Sequence, residues 1–215
     1  MFPQFQNLKQ LYLEKKKLII FDLDGVLIDS IKNMNHSLNQ TSNSLKIKLN
    51  FNEYKKYLGL PFEKVMKKIG VNKNIAEIKK KYIYFSYRNI KKISIDKKKL
   101  SDLMYLKKKF NLAVFTSKDK LRSNKILKKY RIFNYILTSD DVKKGKPHPE
   151  GVYNIIKKFG VSKKNTIYVG DSLYDLNCAK RSGVKYCHAI WGYAQMNRNK
   201  KLNKIKNLRE VEKFL

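Results

Sequence analysis

The chain has little of what staples, spans or repeats. Its two cysteines, Cys178 and Cys187, fall in separate segments, with neither zinc-site spacing nor a disulfide framework. Reduced, core-lining thiols are the expectation. No apolar run approaches the length of a membrane span; the one at 18–28 is interrupted by Asp22 and Asp24. Residues 1–14 lack the basic, apolar and small-residue succession of a signal peptide, so a soluble, cytoplasmic protein is expected. Internal repeats, long low-complexity tracts and a coiled-coil seam are also missing, which leaves a monomer or a homodimer open.

Arginine is scarce. Of 49 basic residues only six are Arg, against 17 acidic residues and a net charge of +32. Such a charge invites a nucleic-acid or anionic-membrane reading. The scarcity of Arg argues against it, because phosphate forks and base edges favour guanidinium over ammonium. The lysines are spread over nearly every helical segment, and Lys, Asn and Ile share A/T-rich codons, so compositional bias accounts for the charge. Nucleic acid is disfavoured as the partner. A positive field can still speed encounter with small anionic substrates.

What is present is an alternation. The 215 residues suffice for one sizeable core, or a core with a small second domain. Residues 17–22 read as a buried strand. From about 97 onward, helical patterns at 100–110, 121–130, 150–159 and 172–181 alternate with strand patterns at 112–115, 135–138, 166–169 and 185–190. This predicts an α/β fold with a doubly wound parallel sheet covered on both faces. Residues 31–94 differ, with helical spacing at 51–58, 62–69 and 75–90 and a short extended piece around 45–49. They read as a small helical insertion. The basic, Asn-rich stretch 196–207 reads as mobile or surface chain.

Chemistry concentrates where the strand patterns end. After the first strand come Asp22 and Asp24, spaced i, i+2 and therefore starting on one face, then Gly25 for a sharp turn. Thr116 and Ser117 follow the strand at 112–115, and Asp171 follows that at 166–169. Between the last two lies Lys146-Pro147-His148-Pro149. In a doubly wound sheet these strand ends share one edge, where such folds bind ligands. Carboxylates without His or Cys favour a hard cation such as Mg²⁺. Hydroxyls, a lysine and turn N–H groups favour a phosphate.

Four segments in order, Phe21-Asp22-Leu23-Asp24-Gly25, Val114-Phe115-Thr116-Ser117, Lys146-Pro147-His148-Pro149 and Val169-Gly170-Asp171-Ser172-Leu173-Tyr174-Asp175, resemble the motifs of the haloacid dehalogenase superfamily. Leu58-Gly59-Leu60-Pro61, Ser182-Gly183-Val184 and Trp191-Gly192 fit its subgroup with a helical cap. The resemblance covers roughly 17–193. It implies a Rossmann-like catalytic core from 1–30 and 95–215, with 31–94 as the cap. It implies Asp22 as nucleophile and Asp24 as general acid and base. Thr116, Ser117 and Lys146 would bind the phosphoryl group. Mg²⁺ would be held by Asp22, the Asp24 carbonyl and Asp171, with Asp175 orienting a metal water or Lys146.

The second carboxylate, Asp24, disfavours dehalogenation and phosphonate cleavage within that superfamily. Leu60, Pro61 and Phe62 stand where the sugar phosphomutases carry a cap arginine, which leans toward hydrolysis. The expected function is a phosphatase acting on a small phosphomonoester, of the phosphoglycolate or sugar phosphate class. The alternative is a β-phosphoglucomutase-like mutase, with which Val26, in place of the commoner Thr, also agrees. His148 reads as a loop residue, Lys143 and Lys144 as solvated charges, Trp191 as packing, and Asp29 and Ser30 as a hinge into the cap.

Overall fold

The computed structural model describes residues 17–193 and 202–215. Residues 1–14, and the 196–201 part of the basic stretch, lie outside them.

Six strands form one all-parallel sheet in the order β3-β2-β1-β4-β5-β6. They are β1 (Leu18–Phe21), β2 (Asn111–Phe115), β3 (Tyr135–Leu137), β4 (Thr166–Gly170), β5 (Lys185–Ala189) and β6 (Asn203–Ile205). The central strands are apolar runs because both faces are covered. Alternation along β1 sends Ile19 and Phe21 to one face and Leu18 and Ile20 to the other. The first face packs on helices α5 (Lys97–Lys109) and α6 (Lys120–Leu127) and on the C-terminal 3₁₀ turn Leu208–Phe214. The second packs on α7 (Glu150–Phe159) and α8 (Leu173–Ser182).

The chain steps from β1 outward to β2 and β3, then returns to lay β4 against the other side of β1. The direction reverses between β1 and β4, so their C-terminal ends open the crevice where doubly wound sheets take ligands. Phe21 lies level with Val114 and Val169, so the residues just past three strands emerge side by side.

Between β1 and α5, four helices run α1 (Ile31–Leu45), α2 (Phe51–Lys55), α3 (Phe62–Lys68) and α4 (Ile75–Arg88). They share an apolar cluster of their own, including Leu38, Tyr54, Phe62, Met66, Ile78 and Tyr82. Leu45 closes α1 rather than entering an extended piece; Lys46 terminates that helix in the left-handed region. The stretch 196–207 was expected to be mobile or surface chain, but its last residues enter the sheet as β6. There Ile205 is fully buried and pairs with Ala189. One apolar residue among Lys and Asn has no periodicity, so only the neighbouring strand makes it a strand. Cys178 and Cys187 are unpaired and buried, and burial pushes both thiols up to about 12, leaving them protonated and inert. No helix among the described residues is long and apolar enough to cross a membrane.

Helix α7 approaches the sheet over Gly151, where an added Cβ would lie 2.3 Å from the Phe115 ring. Ala is the better helix former by about 1 kcal/mol, but overpacking costs about 1–3 kcal/mol. Gly151→Ala is therefore expected to lower stability in urea denaturation; a gain would show that α7 is free to shift.

Candidate active site

Asp22 leaves β1 with its N–H bonded to the Val169 carbonyl at 2.9 Å, which extends the ladder by one residue and sets the carboxylate at the sheet edge. It is buried, and its Oδ1 accepts from Lys146 Nζ at 2.5 Å. Lys146 reaches in from the loop before α7 and has no solvent exposure. Its ammonium also donates to Asp175 Oδ1 at 2.8 Å and lies over the rings of Phe115 and Tyr168.

Asp175 sits in the first turn of α8 and is fully buried. Its Oδ2 accepts from the Ser172 N–H at 3.0 Å and the Ser172 hydroxyl at 2.6 Å, while its own N–H returns a bond to Ser172 Oγ. This is a reciprocal N-terminal cap. It leaves Oδ1 for Lys146 and for the Tyr168 hydroxyl, which donates at 3.1 Å. Asp175 thus holds the lysine that holds Asp22.

Asp171 follows β4 and faces Asp22; ligand atoms of Asp22, Asp171 and Asp175 all lie within 4.8 Å of one another. Two glycines allow Asp171 its place. A Cβ on Gly192 would fall 2.0 Å from Asp171 Cβ. At Gly25, φ is +87° and a Cβ would meet Asp171 Oδ2 at 2.5 Å. The Tyr193 N–H donates to Asp171 Oδ2 at 2.5 Å.

Asp24 turns to the cavity side. Its Oδ1 accepts from the Ser30 hydroxyl and pairs with Lys118 Nζ at 3.0 Å. The Ser30 N–H in turn donates to the Tyr193 hydroxyl at 2.6 Å, and that hydroxyl donates to Asp29 Oδ1 at 3.0 Å. Thr116 is buried beyond β2, its Oγ1 accepting from the Lys118 N–H at 3.1 Å. Ser117 Oγ donates to the Gly59 carbonyl of the helical segment at 2.8 Å.

The fold therefore brings Asp22, Asp24, Thr116, Ser117 and Asp171 to one cavity of about 260 Å³. Lys146 and Asp175 lie directly behind it. Lys143 and Lys144 stay exposed and His148 stays in its loop, accepting from the Glu150 N–H. Trp191 packs, donating its indole N–H to the Val26 carbonyl at 2.9 Å. Sequence reasoning passed over four residues here. Lys118 directly follows Thr116-Ser117, and Arg122 stands four residues on, in the first turn of α6. Tyr193 follows Trp191-Gly192, and Tyr54 stands in the helical segment. All four line the same cavity.

The electrostatics are those of too many carboxylates. Burial raises the Asp22 pKa well above the usual carboxylate range, Lys146 opposes the rise, and Asp175 and Asp171 add to it. Burial alone would lower the Lys146 pKa, but Asp175 and Asp22 outweigh it and keep the ammonium protonated. Three buried carboxylates against one ammonium leave a negative excess that a small divalent cation would neutralise. The all-oxygen donor set fits Mg²⁺.

Residues 19–189 match the family model described as haloacid dehalogenase-like hydrolase. Over 191 residues the chain is 29% identical to a phosphoglycolate phosphatase from Aquifex aeolicus, covering 84% of this chain and 88% of that protein. It is 26% identical to the pyrophosphatase PpaX of Oceanobacillus iheyensis over 84% of this chain and 86% of that one. A haloacid dehalogenase-like family hydrolase from Streptococcus pneumoniae superposes with a TM-score of 0.79 at 20% identity, covering 93% of this chain and 98% of the other.

The Asp22 shift has a measurable sign. Its raised pKa means that the metal-free fold favours the protonated carboxyl. That contribution is complete below the ordinary aspartate pKa and is lost as pH rises through the raised value. A cation held at the site would displace this proton. Mg²⁺ is therefore expected to raise Tm more at about pH 8 than at about pH 5 in thermal unfolding; equal gains at both would contradict the assignment.

Proposed function

The chain belongs to the haloacid dehalogenase-like hydrolase family, and we propose that it is a Mg²⁺-dependent phosphatase that hydrolyses a small phosphomonoester through an aspartyl-phosphate on Asp22. The observation that carries this reading is the Asp22 carboxylate at the end of the central strand, clamped by buried Lys146 and adjoining Asp171 on the floor of a cavity. The relatives named phosphoglycolate phosphatase and pyrophosphatase support a phosphoryl group as the electrophile.

In the first step a carboxylate oxygen of Asp22 bonds to phosphorus and the ester P–O bond breaks. Asp24 gives its proton to the departing oxygen. In the second step a water oxygen attacks the aspartyl-phosphate, Asp24 takes a water proton, and the Asp22–phosphorus bond breaks to release phosphate. Lys146 and the Thr116 hydroxyl, with the Ser117 N–H, stabilise the equatorial oxygens. Lys146, itself held by Asp175, also keeps the Asp22 oxygen aimed. Asp22, Asp171 and the Asp24 carbonyl would hold Mg²⁺, which when bound offsets the repulsion between carboxylate and phosphate.

Residues 31–94 act as a cap in this reading. Gly59 lies against Ser117, and the rings of Tyr54, Phe62 and Tyr82 line the cavity, so closure excludes bulk water from the acyl phosphate. The substrate is a soluble cytoplasmic metabolite, met by a monomer or homodimer.

Phosphate release from a panel of phosphometabolites, with and without Mg²⁺, tests the proposal. Asp22→Asn should abolish release, because no nucleophile remains. Asp24→Asn should lower turnover of alkyl phosphates by about 10²–10⁴. Its effect on 4-nitrophenyl phosphate, whose leaving group needs little protonation, should be smaller. Mg²⁺-independent release that survives Asp22→Asn would refute the mechanism.

A further inference from the structure

The floor of the cavity is accounted for by the phosphoryl group; the wall above Asp24 is not. Two cations stand there, both from the segment after β2 and both nearly buried: Lys118, 5% exposed, and Arg122, 6% exposed. Both line the cavity. Lys118 Nζ offers three N–H donors and forms an ion pair with Asp24 Oδ1 at 3.0 Å. Arg122 offers five; Nε donates to Asp119 and Nη1 to Ser86 Oγ at 3.0 Å. The guanidinium also stacks on the Tyr82 ring, 5.1 Å from its centroid.

These contacts hold Arg122 in place and leave donors over. Asp119 orients it from its own helix, with the carboxyl kept below the usual range because Arg122 and Lys118 outweigh its burial. Ser86 is itself anchored to Asn33 Oδ1 at 2.6 Å. Tyr54 adds a protonated hydroxyl on the same wall, its pKa raised by burial and by Tyr82, and it senses both Arg122 and Asp24. The acidic side chains lining the cavity are Asp22, Asp24 and Asp171, all on the sheet-edge floor. Its other walls are aromatic, apolar or basic, including Lys55 and Lys56.

A neutral polyol or sugar would leave these buried cations facing a group that can only partly satisfy them, which disfavours it. A second anion satisfies them with charge-assisted hydrogen bonds. The cavity, at about 260 Å³, also lies at the small end of ligand pockets. Resting on the phosphatase reading, we infer that Lys118 and Arg122 are specificity residues. They select a small phosphomonoester or phosphoanhydride whose leaving group carries its own negative charge, on a carboxylate or a second phosphate.

The test compares kcat/KM for 2-phosphoglycolate, pyrophosphate and glycerol 3-phosphate, whose leaving groups are glycolate, phosphate and glycerol, two anions and a neutral triol. Wild-type protein with Mg²⁺ should favour one or both anionic leaving groups, and the preferred one names the source of the anion. Lys118→Gln should cut kcat/KM for the anionic substrates about tenfold or more beyond its effect on glycerol 3-phosphate, as should Arg122→Gln. Lys118 carries the test if Arg122→Gln fails to fold with Asp119 left unpaired. If Lys118→Gln lowers all three substrates equally, Lys118 only positions Asp24 and the inference fails. It fails as well if wild-type protein turns over glycerol 3-phosphate as efficiently as both substrates with anionic leaving groups. Both outcomes leave the phosphatase intact, whereas no Mg²⁺-dependent phosphate release from any substrate removes the phosphatase reading and this inference with it.

Discussion

One buried ammonium organises this protein. Lys146 has no solvent exposure and stands between the carboxylates of Asp22 and Asp175. An isolated charge at that depth would be very costly, and removing one partner of a buried ion pair typically costs about 3–5 kcal/mol. The pair therefore demands all its members. The loop before α7 must deliver the lysine, α8 must begin at Ser172 to present Asp175, and β1 must end at Asp22. Three elements distant in the chain are tied together at one point of the sheet edge.

That point falls at the reversal in strand order, where the backbone leaves room. At the ends of β1 and β4 the chain departs in opposite directions, opening a crevice floored by strand termini. The carboxylates that gather there exceed the ammonium available. The excess makes a poor resting state for a metal-free fold and a good site for a divalent cation. Stability and chemistry oppose each other here, as they commonly do where like charges are held together for a reaction.

The helical segment completes the enclosure from above. It has its own apolar cluster, yet its polar links to the α/β layer converge on the cavity: Gly59 to Ser117, Ser86 to Arg122. The wall nearest Asp24 is basic and aromatic while the floor is acidic. A molecule with negative charge at both ends would match that division, which is the substrate chemistry inferred above.

The sequence by itself determined the alternating α/β architecture, because buried parallel strands must be continuous apolar runs and the helices between them must be amphipathic. It also determined which residues stand at the strand ends, since Asp22, Thr116 and Asp171 each follow such a run directly. The family resemblance added Lys146 and Asp175 to that set. Only the tertiary structure decided the rest. Strand β6 exists because β5 offers Ile205 a buried place, and no periodicity announces it. Lys118 and Arg122 look like two more charges in a lysine-rich chain; what distinguishes them is burial against Asp24, Asp119 and Tyr82, which come from elsewhere in the fold. Tyr193 acquires its role only when the loop after β5 meets the start of α1 at Ser30. Local pattern reports what a segment does with its own neighbours. Which charges are buried, and beside what, depends on contacts between segments that sequence spacing does not encode.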